Sequence, residues 1–525
     1  MSPATSSTLP LNRLRIAVLS MVVAAAALLT VALGLAAPTI ASAAPTPPSG
    51  NSTQLLPAGP QPAETTGPNA GPTAEPTQAP IDLRTGWQNG LGIAQLGALG
   101  LASLLLAGVA MTTLAWMLHA WRTPQHLEAT GFARSKREPD LSFSLLVPAR
   151  HEEEVLGDTL DKLAELDHPD YEVIAIIGHD DPGTEAVARA AADRHPDIVR
   201  VVMDYSVPKN KPKGMNTALP QCRGDIIGVF DAEDEVHPEL LRLVDARFQD
   251  TQADVVQGGV QLMNLHSSWW ALRNCMEYYF WFRSRLHFHA NARFIPLGGN
   301  TVFARADVLR EVGGWDPECL AEDCELGVRL STRGKKVVVA YDPEVVTREE
   351  TPPTLRSLYK QRTRWNQGFL QVLRKGEWRK LPTFRQRMMA RYLLSMPFLQ
   401  AFTGLMIPVS IALILFAKVP TGIALLTFLP IVPTLLTLVV ETAGLGDFKR
   451  MYNVKVRFRD YARLLLGTFP YQVFLAAAAV RSVIREARGI NAWEKTEHTG
   501  AHRPQPARPQ PEPALAGAGS GADSR

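Results

Sequence analysis

The stretch Gly224–Glu235, GDIIGVFDAEDE, ends an apolar run (Ile226, Ile227, Val229, Phe230) abruptly in four acids, Asp231, Glu233, Asp234 and Glu235. A buried strand that stops at charge in this way puts carboxylates beyond the carboxyl end of a sheet, where open α/β sheets bind ligands. Clustered hard oxygens suit Mg²⁺ or Mn²⁺, which such sites hold through one or two carboxylates together with substrate phosphates. The alternative is a solvated acidic turn ahead of the helix that begins after Pro238. Further along lie Ala321-Glu322-Asp323-Cys324-Glu325, where acids stand at a helix start that also welcomes them for its dipole. Gln361, Arg364 and Trp365 then fall at i, i+3 and i+4, sharing one helix face on which a guanidinium can grip a diphosphate and an indole can stack on a sugar ring.

These groups need elements to hold them. From Leu141 to about Val346 short apolar segments alternate with helical ones, with strands expected at Ser142–Val147, Glu172–Ile177, Ile198–Met203 and Asp225–Phe230 and helices near 152–166, 183–194 and 214–220. Alternation of this kind implies βαβ units and a mainly parallel sheet. The strand ends gather Pro148-Ala149-Arg150-His151-Glu152, Gly178-His179-Asp180-Asp181 and, as a loop, Lys209-Asn210-Lys211-Pro212-Lys213-Gly214. Such a mouth suits a nucleoside diphosphate, with lysines such as Lys213 neutralising phosphate and Asp180 or Asp181 accepting from base or ribose. Leu297-Gly298-Gly299-Asn300 offers backbone that a ligand can approach closely, and the aromatic run around Trp269–Phe282 reads as packed core, membrane-surface helix or sugar platform.

Around this middle the chain turns apolar. The 525 residues are 46% apolar and 20% charged, with the apolar residues in blocks at both ends, the pattern of a membrane protein with a soluble centre. A formal charge of +3 gives no reason to expect a nucleic-acid partner. The four cysteines, Cys222, Cys275, Cys319 and Cys324, all lie in the centre and read as reduced thiols of a cytosolic domain. Residues 1–43 are either a signal peptide ending in Ala41-Ser42-Ala43 or a first membrane anchor. Residues 44–90, rich in Pro, Thr, Gly and Ala, are expected to be a disordered loop outside the cell, and residues 91–120 a span whose following arginines place the 139–350 domain in the cytoplasm. Residues 351–390 read as interface helices, 391–482 as C-terminal membrane helices and 499–525 as a disordered tail. Basic residues on both sides of the last apolar block leave the number of C-terminal spans open, and a re-entrant or interfacial final helix would reconcile them.

Taken in order, these motifs resemble those of the membrane-embedded processive synthases of glycosyltransferase family two, the group of cellulose and hyaluronan synthases, over roughly residues 90–500. The resemblance implies a GT-A nucleotide-sugar-binding domain flanked by N- and C-terminal transmembrane helices. It identifies Asp180/Asp181 with a nucleotide-contacting site and Asp231-Ala232-Glu233 with a metal motif in which Glu takes the second acidic place. Glu322-Asp323 stand as the last two residues of a Thr-Glu-Asp triplet in which Ala321 replaces threonine. Gln361, Arg364 and Trp365 form an intact Gln-x-x-Arg-Trp, and Trp493–His498 is similar to a sequence that follows the last helices of related bacterial enzymes. The implied reaction is inverting transfer from a UDP-sugar, dependent on Mg²⁺ or Mn²⁺, with Asp323 as base. The acceptor would be a growing glycan, extended processively and exported with the help of a partner, by a multi-pass protein of the cytoplasmic membrane with its catalytic domain in the cytosol; single-sugar transfer to a lipid is the second reading and a non-catalytic membrane scaffold the third.

Overall fold

The computed structural model describes residues 83–123, 138–416, 421–494, 500 and 502–503. The expectations for residues 1–43, for 44–82 and for most of the C-terminal tail lie outside the described residues.

The centre is a seven-stranded sheet made of β1 (Phe143–Ala149), β2 (Tyr171–Gly178), β3 (Val199–Asp204), β4 (Ile226–Val229), β5 (Val255–Gly258), β7 (Val302–Arg305) and β8 (Val337–Ala340), in the order β3-β2-β1-β4-β7-β5-β8. A second, two-stranded sheet pairs β6 (Val260–Leu262) with β9 (Thr347–Glu349) in parallel. The four strands expected from sequence occupy those positions to within two residues at each end. All neighbours in the large sheet run parallel except β7, which is antiparallel to both β4 and β5. The reversal has a consequence for the site: the chain enters β7 from the same edge at which β4 ends, and Thr301 N donates to Val229 O at 2.7 Å there. Gly298-Gly299-Asn300 is therefore brought beside Asp231. Near-continuous burial of β1, β2 and β4 follows from helices on both faces, which split the core into one cluster around Leu145, Leu160 and Phe230 and another around Leu146, Ile227 and Met215.

Helix α1 (Leu83–Leu118) precedes the domain and starts inside the stretch expected to be disordered. The last proline of that stretch is Pro80, so nothing at Leu83-Arg84-Thr85 stops a helix from beginning. The expected Lys209–Gly214 loop is also corrected: Lys211 already opens helix α2 (Lys211–Ala218), whose N-cap Asn210 accepts from Lys213 N and whose Pro212 sits in the first turn. Proline at that position lacks an N–H that the helix would leave unpaired anyway, so the sequence that reads as a turn is a helix start. Helices α3 (Ala271–Phe280) and α4 (Glu322–Thr332) follow, then α5 (Leu355–Lys375), which carries the Gln-x-x-Arg-Trp motif.

The C-terminal part consists of α6 (Met396–Phe416), a short helix Thr421–Phe428, α7 (Ile431–Met451) and α8 (Phe458–Ala487). Among the described residues, Leu96–Arg122, Leu425–Met451 and Phe458–Ala487 are helical, long and apolar enough to cross a membrane. Helix α8 runs 30 residues through Pro470 and begins at Phe458, six residues before the expected block.

Candidate active site

The carboxyl ends of the parallel strands deliver the polar groups to one place. Arg150–Glu152 follow β1, His179 and Asp180 follow β2, Asp204 ends β3, and Asp231–Glu233 follow β4; all line a single cavity of about 1270 Å³. Gly298–Asn300, Ala321–Asp323, Gln361, Arg364, Trp365 and Trp493 line it as well. Asp231, Glu233, Asp180, Glu322, Asp323, Gln361, Arg364 and Trp365 are thus brought together, whereas Asp181 and Lys213 are not among the lining residues. Asp181 is 1% exposed and its carboxylate caps the helix Pro182–Arg194, accepting from Thr184 N at 3.4 Å and from His151 N at 2.6 Å. Lys213 points its ammonium to Val207 O at 3.2 Å. Asp181 and Lys213 thus carry contacts within the chain and lie outside the cavity lining.

Asp180 receives a two-pronged hydrogen bond from Arg150, Nη1 to Oδ1 at 2.9 Å and Nη2 to Oδ2 at 3.0 Å, and this contact holds its pKa at about 2. It is charged throughout the physiological range. The lysine that matters to the acids is Lys211, which sequence reasoning did not separate from its neighbours. Its Nζ lies 2.5 Å from Asp231 Oδ1 and 2.8 Å from Gly299 O. Desolvation opposes its charge, but the charges of Asp231, Glu322 and Asp323 and the bond to Asp231 raise its pKa overall, so it stays an ammonium.

The acids of the motif differ in burial. Asp234 is fully buried, donates no surface to the cavity, accepts from Asp231 N at 2.8 Å and from Asn300 Nδ2 at 3.1 Å, and neighbours Glu349. Burial, with the negative charges of Asp231 and Glu233, pushes Asp234 far above the usual carboxylate range, and burial with Asp234 does the same to Glu349. Asp231 and Glu233 face the cavity instead. Their donor type fits a hard divalent cation: both offer carboxylate oxygens at the cavity wall, and Asp231 already binds a cation in the form of the Lys211 ammonium.

Asp323 lies in the first turn of α4, with Oδ1 accepting from Cys324 N at 2.7 Å. Burial raises its pKa; Lys211 and Arg364 lower it. Glu322 beside it is pushed to about 7, by burial first and then by the charge of Asp323. A Cβ on Gly299 would stand 3.2 Å from Asp323 Oδ2, so the backbone of Gly299 flanks the carboxylate closely.

Helix α5 is locked to this acid by a contact without side-chain room. A Cβ on Gly368 would meet Ala321 Cβ at 2.4 Å and Ala321 N at 2.6 Å, and Gln371 Oε1 accepts from Leu320 N at 2.8 Å. Gly368 therefore packs directly on Ala321, with no room for a side chain at position 368. Gly368→Ala should cost about 1–3 kcal/mol by overpacking and, by moving Gln361, Arg364 and Trp365 relative to Asp323, lower turnover by about 10²-fold; thermal unfolding and steady-state rates read the two effects. On the same helix Arg362 lies 4.8 Å over the Trp365 ring and 2.5 Å from Glu277 Oε2, and Arg364 lies 4.4 Å over Trp493. Gln361 Oε1, Arg362 Nε and Arg364 Nε are buried with no hydrogen-bond partner among the described residues, which leaves polar capacity at the cavity wall for a ligand.

Residues 139–368 match the sequence model of the family described as glycosyltransferase like family 2. The chain carries a glycosyltransferase family 2-like domain. Its central sheet is the mostly parallel sheet of the GT-A fold. Among curated proteins, the β-monoglucosyldiacylglycerol synthase of Synechocystis sp. is 29% identical over 230 residues, 43% of this chain and 47% of that protein. The poly-β-1,6-N-acetyl-D-glucosamine synthase of Staphylococcus epidermidis is 23% identical over 270 residues, 50% of this chain and 62% of that protein. The chain thus spans about half to three fifths of the length of these relatives. A solved mannosyltransferase, PcManGT from Pyrobaculum calidifontis in complex with GDP-Man and Mn²⁺, aligns with a TM-score of 0.45 and 19% identity over 75% of this chain and 99% of that one.

Proposed function

We propose that this protein is an inverting glycosyltransferase that moves a sugar from a UDP-sugar to a hydroxyl held at the cytoplasmic face of a membrane. The observation that carries the reading is the single cavity: it runs from the strand-end acids, past Asp323 and the Gln361–Trp365 face, to Val109 and Thr113 of α1, Thr403 of α6, Thr437 of α7 and Thr468 of α8. Donor groups and membrane helices share one wall.

The donor's diphosphate lies between the Asp231/Glu233 edge and Arg364. Asp231 and Glu233 would hold a divalent cation, which supplies charge neutralisation to the departing diphosphate. Lys211 and Arg364 place further positive charge beside it. Asp323 accepts the proton of the acceptor hydroxyl as that oxygen attacks the anomeric carbon, and the carbon–oxygen bond to the diphosphate breaks on the opposite face. One displacement with one base inverts the configuration. Gly299, close to the carboxylate and without a side chain, leaves room for the hydroxyl.

Two acceptors fit this wall. A lipid hydroxyl is favoured by the exposed cavity residues Thr434 on α7 and Gln472 on α8, which open the cavity sideways between apolar helices, and by the lipid product in the name of the Synechocystis relative. A growing glycan, processively extended and exported through a partner-completed channel, is favoured by the polymer in the name of the Staphylococcus relative. UDP release by the full-length protein in detergent, from a panel of UDP-sugars with Mn²⁺, Mg²⁺ or chelator, tests the proposal. Metal-dependent turnover of one donor is expected, and product sizing then separates one sugar on a lipid from a polymer. Nucleotide binding without turnover of any donor, in the presence of membrane lipid and oligosaccharide, would turn the assignment to the non-catalytic scaffold.

A further inference from the structure

The cavity's membrane end contains an ion pair that the reaction does not use. Arg273 of α3 is 3% exposed, and its guanidinium meets Glu441 of α7 twice, Nη1 to Oε2 at 2.6 Å and Nη2 to Oε1 at 3.0 Å. Arg273 Nη1 also donates to Thr468 Oγ1 at 3.0 Å, while Arg273 Nε is buried with no acceptor among the described residues. Both charged side chains line the cavity. Ionisable groups among membrane helices are costly and mark ligand paths more often than they serve packing. Removing the pair in favour of apolar residues would by general experience cost the fold little, so stability alone gives no reason for it.

The surroundings extend the pair into a polar strip. Thr434, Thr437 and Glu441 follow one another at i, i+3 and i+7 on one face of α7, and Thr468 and Gln472 at i and i+4 on α8; all five line the same cavity. Deepening the function proposed above, and resting on it, we infer that this strip is the acceptor subsite, and that it takes a neutral polyhydroxyl group, the glycerol or sugar head of a membrane-held acceptor. A carboxylate that accepts, a guanidinium with a spare N–H and hydroxyls that do both match a diol, which donates and accepts at each oxygen. The pairing also decides against an anion. Arg273 is paired at its two terminal nitrogens with Glu441, so a phosphate beside this pair would face a carboxylate and an already neutralised guanidinium.

The test uses the full-length protein with its preferred UDP-sugar and three acceptors: 1,2-dioleoylglycerol in mixed micelles, a neutral β-linked tetrasaccharide, and a polyprenyl phosphate. Two variants are compared with the wild type. The double variant Arg273→Gln/Glu441→Gln removes both charges without orphaning one, and Thr468→Val with Gln472→Leu removes only neutral groups. The expected result is transfer to one of the two neutral acceptors, with its KM raised about ten- to a hundred-fold in both variants and the donor KM unmoved; a role in helix packing alone would move neither KM selectively. Preference for dioleoylglycerol or for the tetrasaccharide tells the lipid source from the glycan source. Preference for the polyprenyl phosphate, or an acceptor KM that stays at the wild-type value in folded variants, overturns the subsite. Wild-type protein that transfers to none of the three overturns the glycosyltransferase reading itself.

Discussion

Asp323→Asn should lower turnover by about 10²–10⁴-fold, equivalent to about 3–5 kcal/mol of barrier, while nucleotide affinity stays within about two-fold. The carboxylate sits in the cavity in the first turn of α4, and the asparagine keeps its size and its contact with Cys324 N but cannot take a proton. The pH profile supplies a second readout. Burial raises Asp323, Lys211 and Arg364 pull it back, and Glu322 titrates at about 7, so the two acids share their protons. The base works only when deprotonated and its pKa is raised, so kcat/KM should begin to fall, as pH drops, above the ordinary carboxylate range, and this acid limb should vanish in the residual activity of Asp323→Asn. Stability runs in the opposite direction for Glu322. Its folded pKa exceeds its ordinary 4.5, so its contribution favours the fold fully below about 4.5 and is lost as pH rises through about 7. Turnover that survives Asp323→Asn within ten-fold would remove this residue as the base.

Asp231→Asn should be nearly as severe, about 10²–10³-fold in kcat/KM, and should abolish the response to added Mn²⁺ or Mg²⁺. Asp231 faces the cavity, carries the Lys211 ammonium and stands beside Glu233. Asp234→Asn provides the contrast three residues away. Asp234 is fully buried and its pKa is pushed above the carboxylate range by burial and by the charges of Asp231 and Glu233, and the side-chain oxygen of an asparagine there can still accept the bond from Asp231 N. Its activity should remain within about ten-fold of the wild type, with the metal response intact. Equal losses at 231 and 234 would show that the ion sits deeper than the cavity wall. Chelator titration of both variants and of the wild type reads the difference directly.

Much of this protein is legible in the sequence because it depends on local chemistry. Alternating strand and helix patterns set the mainly parallel sheet, since burial on both faces demands continuous apolar strands. The position of Asp231 at a strand end and the i, i+3, i+4 spacing of Gln361, Arg364 and Trp365 follow from periodicity alone. What the sequence left open depends on which residues distant in the chain meet. Asp180 and Asp181 are equivalent as neighbours, yet one reaches Arg150 across the mouth and the other is consumed in a helix cap. Lys209, Lys211 and Lys213 are equivalent in a basic loop, yet the helix that begins at Lys211 turns only that ammonium onto Asp231. Ala321 and Gly368, 47 residues apart by number, press against each other with no sequence signature as a pair. Arg273 and Glu441, 168 residues apart, have no sequence signature as a pair. Local pattern fixes backbone state and the side a residue faces, but desolvation and partner charge, which decide what a carboxylate or ammonium does, exist only once the tertiary fold has closed around them.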